Sequence, residues 1–144
     1  MASSAKLKAY PEIQAIKDRL AGGKGSELVI AFIPSHDKDD HARTDQDHWA
    51  QKALTLFGRM YEGATAFEQL KGIYHSKDMQ KKGLRPCYDT PIMVQSLADA
   101  ADVENEDNLL ALAAFLRDMG TTMNQYAVGL VVNNKYINIV IAPV

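Results

Sequence analysis

The sequence contains one cysteine, Cys87, among its 144 residues. A single thiol excludes an intramolecular disulfide and any zinc site built from several thiolates, so we expect a reducing, cytoplasmic compartment. Long hydrophobic runs are also absent, because the longest, from Leu109 to Leu116, is far shorter than the ~20 residues that a membrane helix needs. The first residues lack the apolar segment of a signal peptide. We therefore expect a soluble protein with no membrane contact.

An excess of positive charge is missing as well. Sixteen lysines and arginines stand against eighteen aspartates and glutamates, which gives a formal net charge of −2. This balance does not suit a general nucleic-acid binder, so a nucleic-acid partner is not expected. Hydrophobic residues make up 47% of the chain, and no repeat or low-complexity segment interrupts it, which indicates a globular protein. We predict an N-terminal arm with a short helix over residues 1–24 and a single α+β domain over residues 25–144.

Hydrophobic periodicity predicts alternating strands and helices after that arm. Short β-branched runs bounded by proline or glycine indicate strands, and apolar residues three or four apart indicate helices. Asn133 and Asn134 tolerate positive φ and predict a tight hairpin turn. The predicted elements are a helix over 11–21, a strand over 28–33, a helix from Asp45 to Tyr61, a strand within 64–74, a strand over 92–97, a helix from Glu104 to Met119, and strands over 127–132 and 136–141.

This order matches a ferredoxin-like split β-α-β two-layer sandwich with one extra C-terminal strand. In that arrangement the third strand lies between the first and second and is antiparallel to both, while the fourth flanks the first on its other side. The two long helices cover one face of the sheet. The other face is open to a partner or covered by the N-terminal segment. Because an exposed apolar face is unfavourable, we expect a homodimer or another protein partner to bury it.

The predicted topology brings polar residues from separate segments to one end of the sheet. The C-terminal ends of the first two strands meet there with the N-terminal ends of the third and fourth. The N-terminus of the helix after Asp45 opens at the same place and offers unpaired N–H groups to a small anionic ligand. The residues expected to form a ligand-binding pocket are Ser35, His36, Asp37, Tyr74, His75, Asp89, Asn124 and Gln125.

The polar segment 36–41, of sequence H-D-K-D-D-H, contains imidazole and carboxylate groups of the kind that bind Mn, Mg or Zn. Its spacing matches neither an EF-hand loop nor an H-E-x-x-H helix. If a divalent metal binds, we expect His36, Asp37 and Asp89 to hold it. The alternative is a solvated loop whose aspartates and histidines cap nearby backbone N–H groups.

His36 also has the chemistry of a general base, because an imidazole titrates near neutral pH. Asp89, arriving from a neighbouring strand, would orient it. Alternatively, Asp89 only starts the turn before Pro91, and His36 only packs over Trp49. Cys87 has no activating base nearby in sequence and is expected to be a small, half-buried residue.

Short motifs carry a resemblance to a known group of proteins. The P-S-H-D segment at 34–37 is followed by a Trp-bearing helix, then by G-A-T-A at 63–66 and by N-Q at 124–125 before a strand. In these motifs the chain resembles a group of small bacterial proteins, without an established activity, that pair a P-S-H-D loop with a G-A-T-A turn and an N-Q step. The resemblance implies that the loop at His36 and Asp37 belongs together with Gln125.

These observations favour three functions and leave open whether the protein is an enzyme. The leading one is a small-ligand-binding or regulatory module, because the polar groups at the sheet end are varied and contain no closed nucleophile–base pair. The second is a partner-recognition factor, such as an accessory or inhibitor protein from a mobile element, that docks through its sheet face and the lysine-rich 76–86 loop. The third is a metal-assisted hydrolase of phosphodiesterase type, in which His75 or His41 moves a proton.

Overall fold

The structure is a computed structural model that describes residues 4–68 and 70–143. Residues 1–3 of the predicted arm, Gln69 inside the predicted second strand, and Val144 at the end of the predicted domain lie outside the described residues. The strands are β1 Glu27–Ile33, β2 Thr65–Phe67, β3 Gly72–Tyr74, β4 Cys87–Asp89, β5 Ile92–Ala98, β6 Ala127–Val132 and β7 Lys135–Val140. The helices are α1 Ser4–Lys8, α2 Pro11–Lys17, α3 Gln46–Tyr61, α4 Lys77–Lys81, α5 Ala100–Val103 and α6 Glu106–Thr122.

The main sheet has five strands in the order β2-β5-β1-β6-β7. The central strand β1 pairs antiparallel with β5, from Glu27 opposite Ala98 to Ile33 opposite Ile92, and with β6 on its other edge. β2 pairs antiparallel with the outer edge of β5, and β7 pairs antiparallel with β6. The predicted α+β class is confirmed, and so is the predicted order, in which the third strand of this sheet separates the first from the second.

The helices pack on one face of this sheet. Val29, Ala31 and Ile33 alternate along β1 and are fully buried beneath the helical layer, as the period-2 geometry of a strand requires. Ile13 and Ile16 of α2 belong to the same hydrophobic core, because α2 packs against α6 and β7. The N-terminal segment therefore extends the helical layer and does not cover the opposite face of the sheet, which was one of the two arrangements predicted for it.

An ion pair fastens the arm to the domain. Arg117 of α6 donates through Nε to Glu12 Oε1 at 2.9 Å and through a terminal nitrogen to Glu12 Oε2 at 3.2 Å. Glu12 is buried, and its hydrogen bond raises the pKa of Arg117. The predicted N-terminal helix over 11–21 is shorter than expected and ends at Lys17, because residues 18–26 form turns toward β1.

The predicted second strand within 64–74 is divided. Its first part, β2, joins the main sheet, whereas its last part, β3, leaves the sheet and pairs with β4 in a separate two-stranded sheet. Charged Glu68 and Lys71 lie between the two parts, and extending β2 through them would bring charge to an apolar sheet edge, which is unfavourable. Residues 68–91 therefore leave the main sheet and lie beside it, and we call this segment the excursion.

The segment 76–86, predicted as an exposed loop, contains the short helix α4. Ser76 caps this helix, since its hydroxyl accepts from the backbone N–H of Met79 at 3.1 Å. Met79 is buried and anchors the helix. A serine three residues before an apolar residue is an ordinary helix-start pattern, so this helix could have been predicted from the sequence.

The helix α6 runs through Gly120, although the sequence predicts that it ends before this residue. A Cβ built on Gly120 would lie 2.5 Å from Cγ1 of Ile141. The glycine therefore allows the chain after β7 to pack closely against the helix, and it does not end the helix. Within the described ranges, none of the helices has the length and apolar character needed to cross a bilayer.

Candidate functional site

A cavity of about 390 Å³ lies at the end of the sheet where β1 finishes. The main sheet forms one wall, and the β3–β4 hairpin forms another. Its lining is Phe32, Pro34, His36, Asp37, Lys38, Leu70, Lys71, Gly72, Ile73, Tyr74, Cys87, Tyr88, Asp89, Pro91, Gln125, Tyr126, Ala127, Val128, Gly129 and Tyr136. A concave, largely apolar space of this size with a few polar groups is typical of a small-molecule site.

The structure brings together most of the predicted pocket residues. Those that line the cavity are His36, Asp37, Tyr74, Asp89 and Gln125. The other predicted residues lie outside its lining. Ser35 is buried behind it, His75 faces away and its Nε2 lies 2.8 Å from the carbonyl of Leu84, and Asn124 donates to Asp39 Oδ2 at 3.0 Å. The convergence predicted from topology is therefore present, whereas the ligand-binding role of each residue stays a prediction.

Ser35 and Asp89 form a short network behind the cavity. The Asp89 Oδ1 atom accepts from the backbone N–H of Ser35 at 2.6 Å and from its hydroxyl at 2.5 Å. The hydroxyl oxygen in turn accepts from the backbone N–H of Thr90 at 2.9 Å and lies 2.8 Å from Nδ1 of His36. This network joins the loop after β1 to the end of β4, and so it fixes the excursion to the main sheet.

Asp37 organises the loop that follows. Its Oδ1 accepts from the backbone N–H groups of Asp39 at 2.9 Å and His41 at 3.0 Å, as in an Asx turn. Burial alone would raise the pKa of Asp37, but these hydrogen bonds and the His41 ring lower it below its ordinary value. The carboxylate is therefore ionised near neutral pH, and its principal role in this loop is to hold backbone.

The predicted metal ligands His36, Asp37 and Asp89 do not come together as a set. Among the described residues, the group whose ligand atoms lie within 4.8 Å of one another is Asp37, Asp39 and His41. The prediction differs from the structure because Asp89 turns to Ser35, and Asp37 turns to the backbone of its own loop. The alternative considered for this segment, a loop in which aspartate caps backbone N–H groups, is what the contacts of Asp37 show.

Gln125 connects the loop to the start of β6. Its Nε2 donates to the carbonyl of His36 at 2.8 Å and to the carbonyl of Met123 at 2.9 Å. Both amide hydrogens are thereby used, and within the described part of the chain Oε1 is the side-chain polar atom that is left for a ligand. The residue therefore offers an acceptor at the cavity wall.

Aromatic residues form much of the wall, and of these the sequence predicted Tyr74 but not the others. A Cβ built on Gly129 would lie 2.5 Å from the hydroxyl oxygen of Tyr136, so the ring of Tyr136 lies directly over the glycine. Burial and the neighbouring Tyr74 raise the pKa of Tyr136. The signal was present in the sequence, because a glycine inside a strand often marks close approach by another group. The rings at the cavity are Phe32, Tyr74, Tyr88, Tyr126 and Tyr136.

Cys87 lies near four carboxylates, and Lys38 and Lys71 also line the cavity. Cys87 is half-buried, as predicted, and burial raises the pKa of its thiol. The carboxylates of Asp37, Asp39, Asp40 and Asp89 raise the pKa further. This thiol is therefore protonated at neutral pH.

The predicted anion site at the N-terminus of α3 does not open into the cavity. No residue of α3 is among the cavity lining. The preceding Asp45 turns toward Arg43, whose Nε donates to Asp45 Oδ1 at 3.1 Å. This hydrogen bond and the charge of Arg43 lower the pKa of Asp45. The first residues of α3, Gln46 and Asp47, line a second, separate cavity of about 360 Å³ beside this ion pair.

No family model and no curated protein matches the sequence. Solved structures that share its fold include phage SAM lyase in complex with S-methyl-5′-thioadenosine, with a TM-score of 0.56 and 12% identity over 84% of this chain and 94% of that chain. The same protein in its apo state gives a TM-score of 0.52 and 13% identity over 84% of this chain and 93% of that chain. At these identities the likeness establishes the fold.

Proposed function

We propose that the protein binds a small organic molecule in the cavity at the end of β1. The observation that carries this proposal is the combination of about 390 Å³ of space, aromatic walls and a few polar groups from separate segments. Aromatic faces stack on flat heterocycles, and a few fixed polar atoms orient them. The contact between Gln125 and the carbonyl of His36 supports the resemblance that assigns these residues to one site.

We infer further that the ligand is an adenosine thioether or sulfonium, with S-methyl-5′-thioadenosine and SAM as the compounds to test. Phage SAM lyase, which shares the fold over most of this chain, has been solved with the first of these. The carboxylates of Asp37 and Asp89, which line the cavity, would interact favourably with a sulfonium. Lys38 and Lys71 line the same cavity, so the small anionic ligand expected from the sequence stays a prediction.

Isothermal titration calorimetry with both compounds tests the proposal. We expect saturable binding with one site per chain. Chromatography of a SAM incubation then separates two outcomes, because release of S-methyl-5′-thioadenosine and the four-carbon fragment faster than in an incubation without protein indicates an enzyme, whereas binding without such an excess indicates a binding module. Absence of heat and of thermal stabilisation with both compounds would overturn the ligand class.

Matched glutamine variants locate the binding site. Gln125→Ala removes the amide at the cavity wall and should weaken binding about tenfold, which corresponds to one well-placed hydrogen bond of about 1.4 kcal/mol. Gln51→Ala removes the same side chain from the exposed surface of α3 and should leave binding unchanged. Equal affinities for the two variants would place the ligand elsewhere.

We also propose that a protein partner, most simply a second copy of this chain, covers the open face of the sheet, whose strand order supports the ferredoxin-like plan. Leu97 is 64% exposed and Val140 is 56% exposed on that face, and monomeric proteins rarely leave a large apolar patch uncovered. Sedimentation velocity should show a species larger than a monomer that Leu97→Asp dissociates. Leu84→Asp, in the 76–86 segment, is the control, and dissociation by it alone would favour docking through that segment.

A further inference from the structure

The side chain of Ser35 has one hydrogen to donate, and its surroundings decide where that hydrogen goes. Asp89 Oδ1, at 2.5 Å from the hydroxyl oxygen, belongs to a carboxylate, which only accepts. The backbone N–H of Thr90, at 2.9 Å, only donates. The Ser35 hydroxyl therefore donates to Asp89 and accepts from Thr90.

His36 completes this network. Its Nδ1 lies 2.8 Å from the same hydroxyl oxygen, whose only hydrogen is already given to Asp89. The hydrogen bond can form only if Nδ1 carries a proton and donates it. A neutral imidazole with a proton on Nδ1 has a lone pair on Nε2. Within the described residues, Nε2 has no hydrogen-bond partner, and the His36 ring lines the cavity.

We propose that Ser35 and Asp89 hold neutral His36 in its Nδ1–H tautomer, so that Nε2 presents a hydrogen-bond acceptor to the cavity and selects ligands that bring a donor. Ser35 and Asp89 are then positioning residues that act through the imidazole. The selection of ligands by Nε2 rests on the proposed function of the cavity, whereas the assignment of the His36 tautomer does not depend on that function. Oε1 of Gln125, whose amide hydrogens are both used, is a second acceptor at the same wall. Two acceptors suit a pair of hydroxyl groups, as in a ribose.

Long-range proton–nitrogen correlation NMR of the ligand-free protein tests the tautomer. The spectra are recorded at about pH 8, and the two tautomers of a neutral imidazole are distinguished by which nitrogen carries the proton. We expect a protonated Nδ1 and a bare Nε2 for His36 in the wild type. Ser35→Ala should shift the ring toward the Nε2–H form that predominates in free histidine, whereas Ser35→Thr, which keeps a hydroxyl, should restore the wild-type pattern. His75, whose Nε2 lies 2.8 Å from the carbonyl of Leu84 and so carries the proton, serves as an internal reference for the opposite tautomer.

The ligand step is tested with S-methyl-5′-thioadenosine and its 2′-deoxy and 3′-deoxy analogues. Loss of the hydroxyl that donates to Nε2 should weaken wild-type binding about threefold to tenfold, the value of one hydrogen bond. In His36→Phe, which keeps a ring but has no acceptor, the parent compound and the analogue should bind equally.

The outcomes separate the two claims. A wild-type Nε2–H tautomer, or a tautomer that Ser35→Ala leaves unchanged, would overturn the positioning role whether or not a ligand binds. Failure of every adenosine compound to bind, with the Nδ1–H tautomer observed, would overturn the proposed ligand class and with it the selection step. If Ser35→Ala does not fold, Asp89→Ala provides a second readout, because it removes the acceptor of the Ser35 hydrogen and lets the hydroxyl donate to Nδ1 of His36.

Discussion

Asn133, in the turn between β6 and β7, donates its side-chain amide to the carboxylate of Glu27 at 2.9 Å. The Asn133 side-chain oxygen also accepts from the backbone N–H of Leu28 at 2.9 Å. Glu27 is fully buried and accepts from the backbone N–H groups of Ala21 at 2.8 Å and of Gly22. One carboxylate therefore joins the N-terminal arm, the central strand and the C-terminal hairpin.

Replacing Glu27 with glutamine should lower the free energy of unfolding by about 1–3 kcal/mol, because an amide cannot accept all of these hydrogen bonds and leaves buried donors unpaired. Burial alone would raise the pKa of Glu27, but the hydrogen bonds, led by that of Asn133, lower it below its ordinary value of 4.5. The Glu27 carboxylate therefore binds a proton more readily in the unfolded chain than in the folded protein. The stabilisation is therefore complete above pH 4.5 and is lost as the pH falls through the lower folded value.

Urea unfolding from neutral to acid pH measures this loss. In Glu27→Gln the free energy of unfolding should fall less steeply with decreasing pH than in the wild type. Part of the fall should remain, because the pKa values of Asp37 and Asp45 are also lowered. Glu104→Gln, at an exposed position, should reproduce the wild-type profile. Parallel profiles for wild type and Glu27→Gln would show that this carboxylate does not couple folding to pH.

The close approach of Tyr136 to Gly129 predicts a ligand-binding defect with little loss of stability. In Gly129→Ala the new methyl group would meet the Tyr136 ring, whose hydroxyl lies 2.5 Å from the Cβ position, and would push the ring into the cavity or out to solvent. Calorimetry should therefore show weaker binding of the adenosine compounds. Gly58→Ala is the matched control, because a Cβ there meets nothing within 4 Å, and alanine should stabilise α3 by about 1 kcal/mol. Unchanged binding in Gly129→Ala would remove Tyr136 from the site.

Tyr61 is a buried residue whose hydroxyl has no hydrogen-bond partner in the described part of the chain. Burial and the charge of Asp102 raise the pKa of this phenol. Tyr61→Phe keeps the ring that packs against Phe57 at a centroid distance of 5.4 Å and removes the unpaired hydroxyl, so it should raise the free energy of unfolding by about 1 kcal/mol. Thermal and urea unfolding measure the change. A loss of stability would mean that the hydroxyl has a partner, such as a bound water.

The sheet was predictable because its strands and long helices are coded locally. β1 is a β-branched run that ends at Pro34, and α6 has a regular apolar stripe. The excursion 68–91 was not, because β3 and β4 have three residues each and are connected to the rest of the fold by contacts distant in sequence, among them those of Asp89 with Ser35 and of Thr90 with Gln46. The predicted topology placed these residues at one end of the sheet, but it could not say that Asp89 bonds to Ser35 and Asp37 to the backbone of its own loop, so that the predicted metal ligands His36, Asp37 and Asp89 do not meet.

The negative field around Cys87 gives a charge-dependent test of the cavity. Because burial and the surrounding aspartates raise the pKa of the thiol, its thiolate fraction at neutral pH is low, and iodoacetamide should alkylate it more slowly than a free cysteine. Asp40→Asn removes one of these charges without changing the backbone, since Asp40 has a φ of 65° and asparagine accepts that conformation readily. Alkylation followed by mass spectrometry should therefore be faster in Asp40→Asn than in the wild type. Asp118→Asn, which removes an exposed charge from α6, should leave the alkylation rate unchanged. If Asp40→Asn is alkylated no faster than Asp118→Asn, the aspartates do not control the electrostatic potential at Cys87.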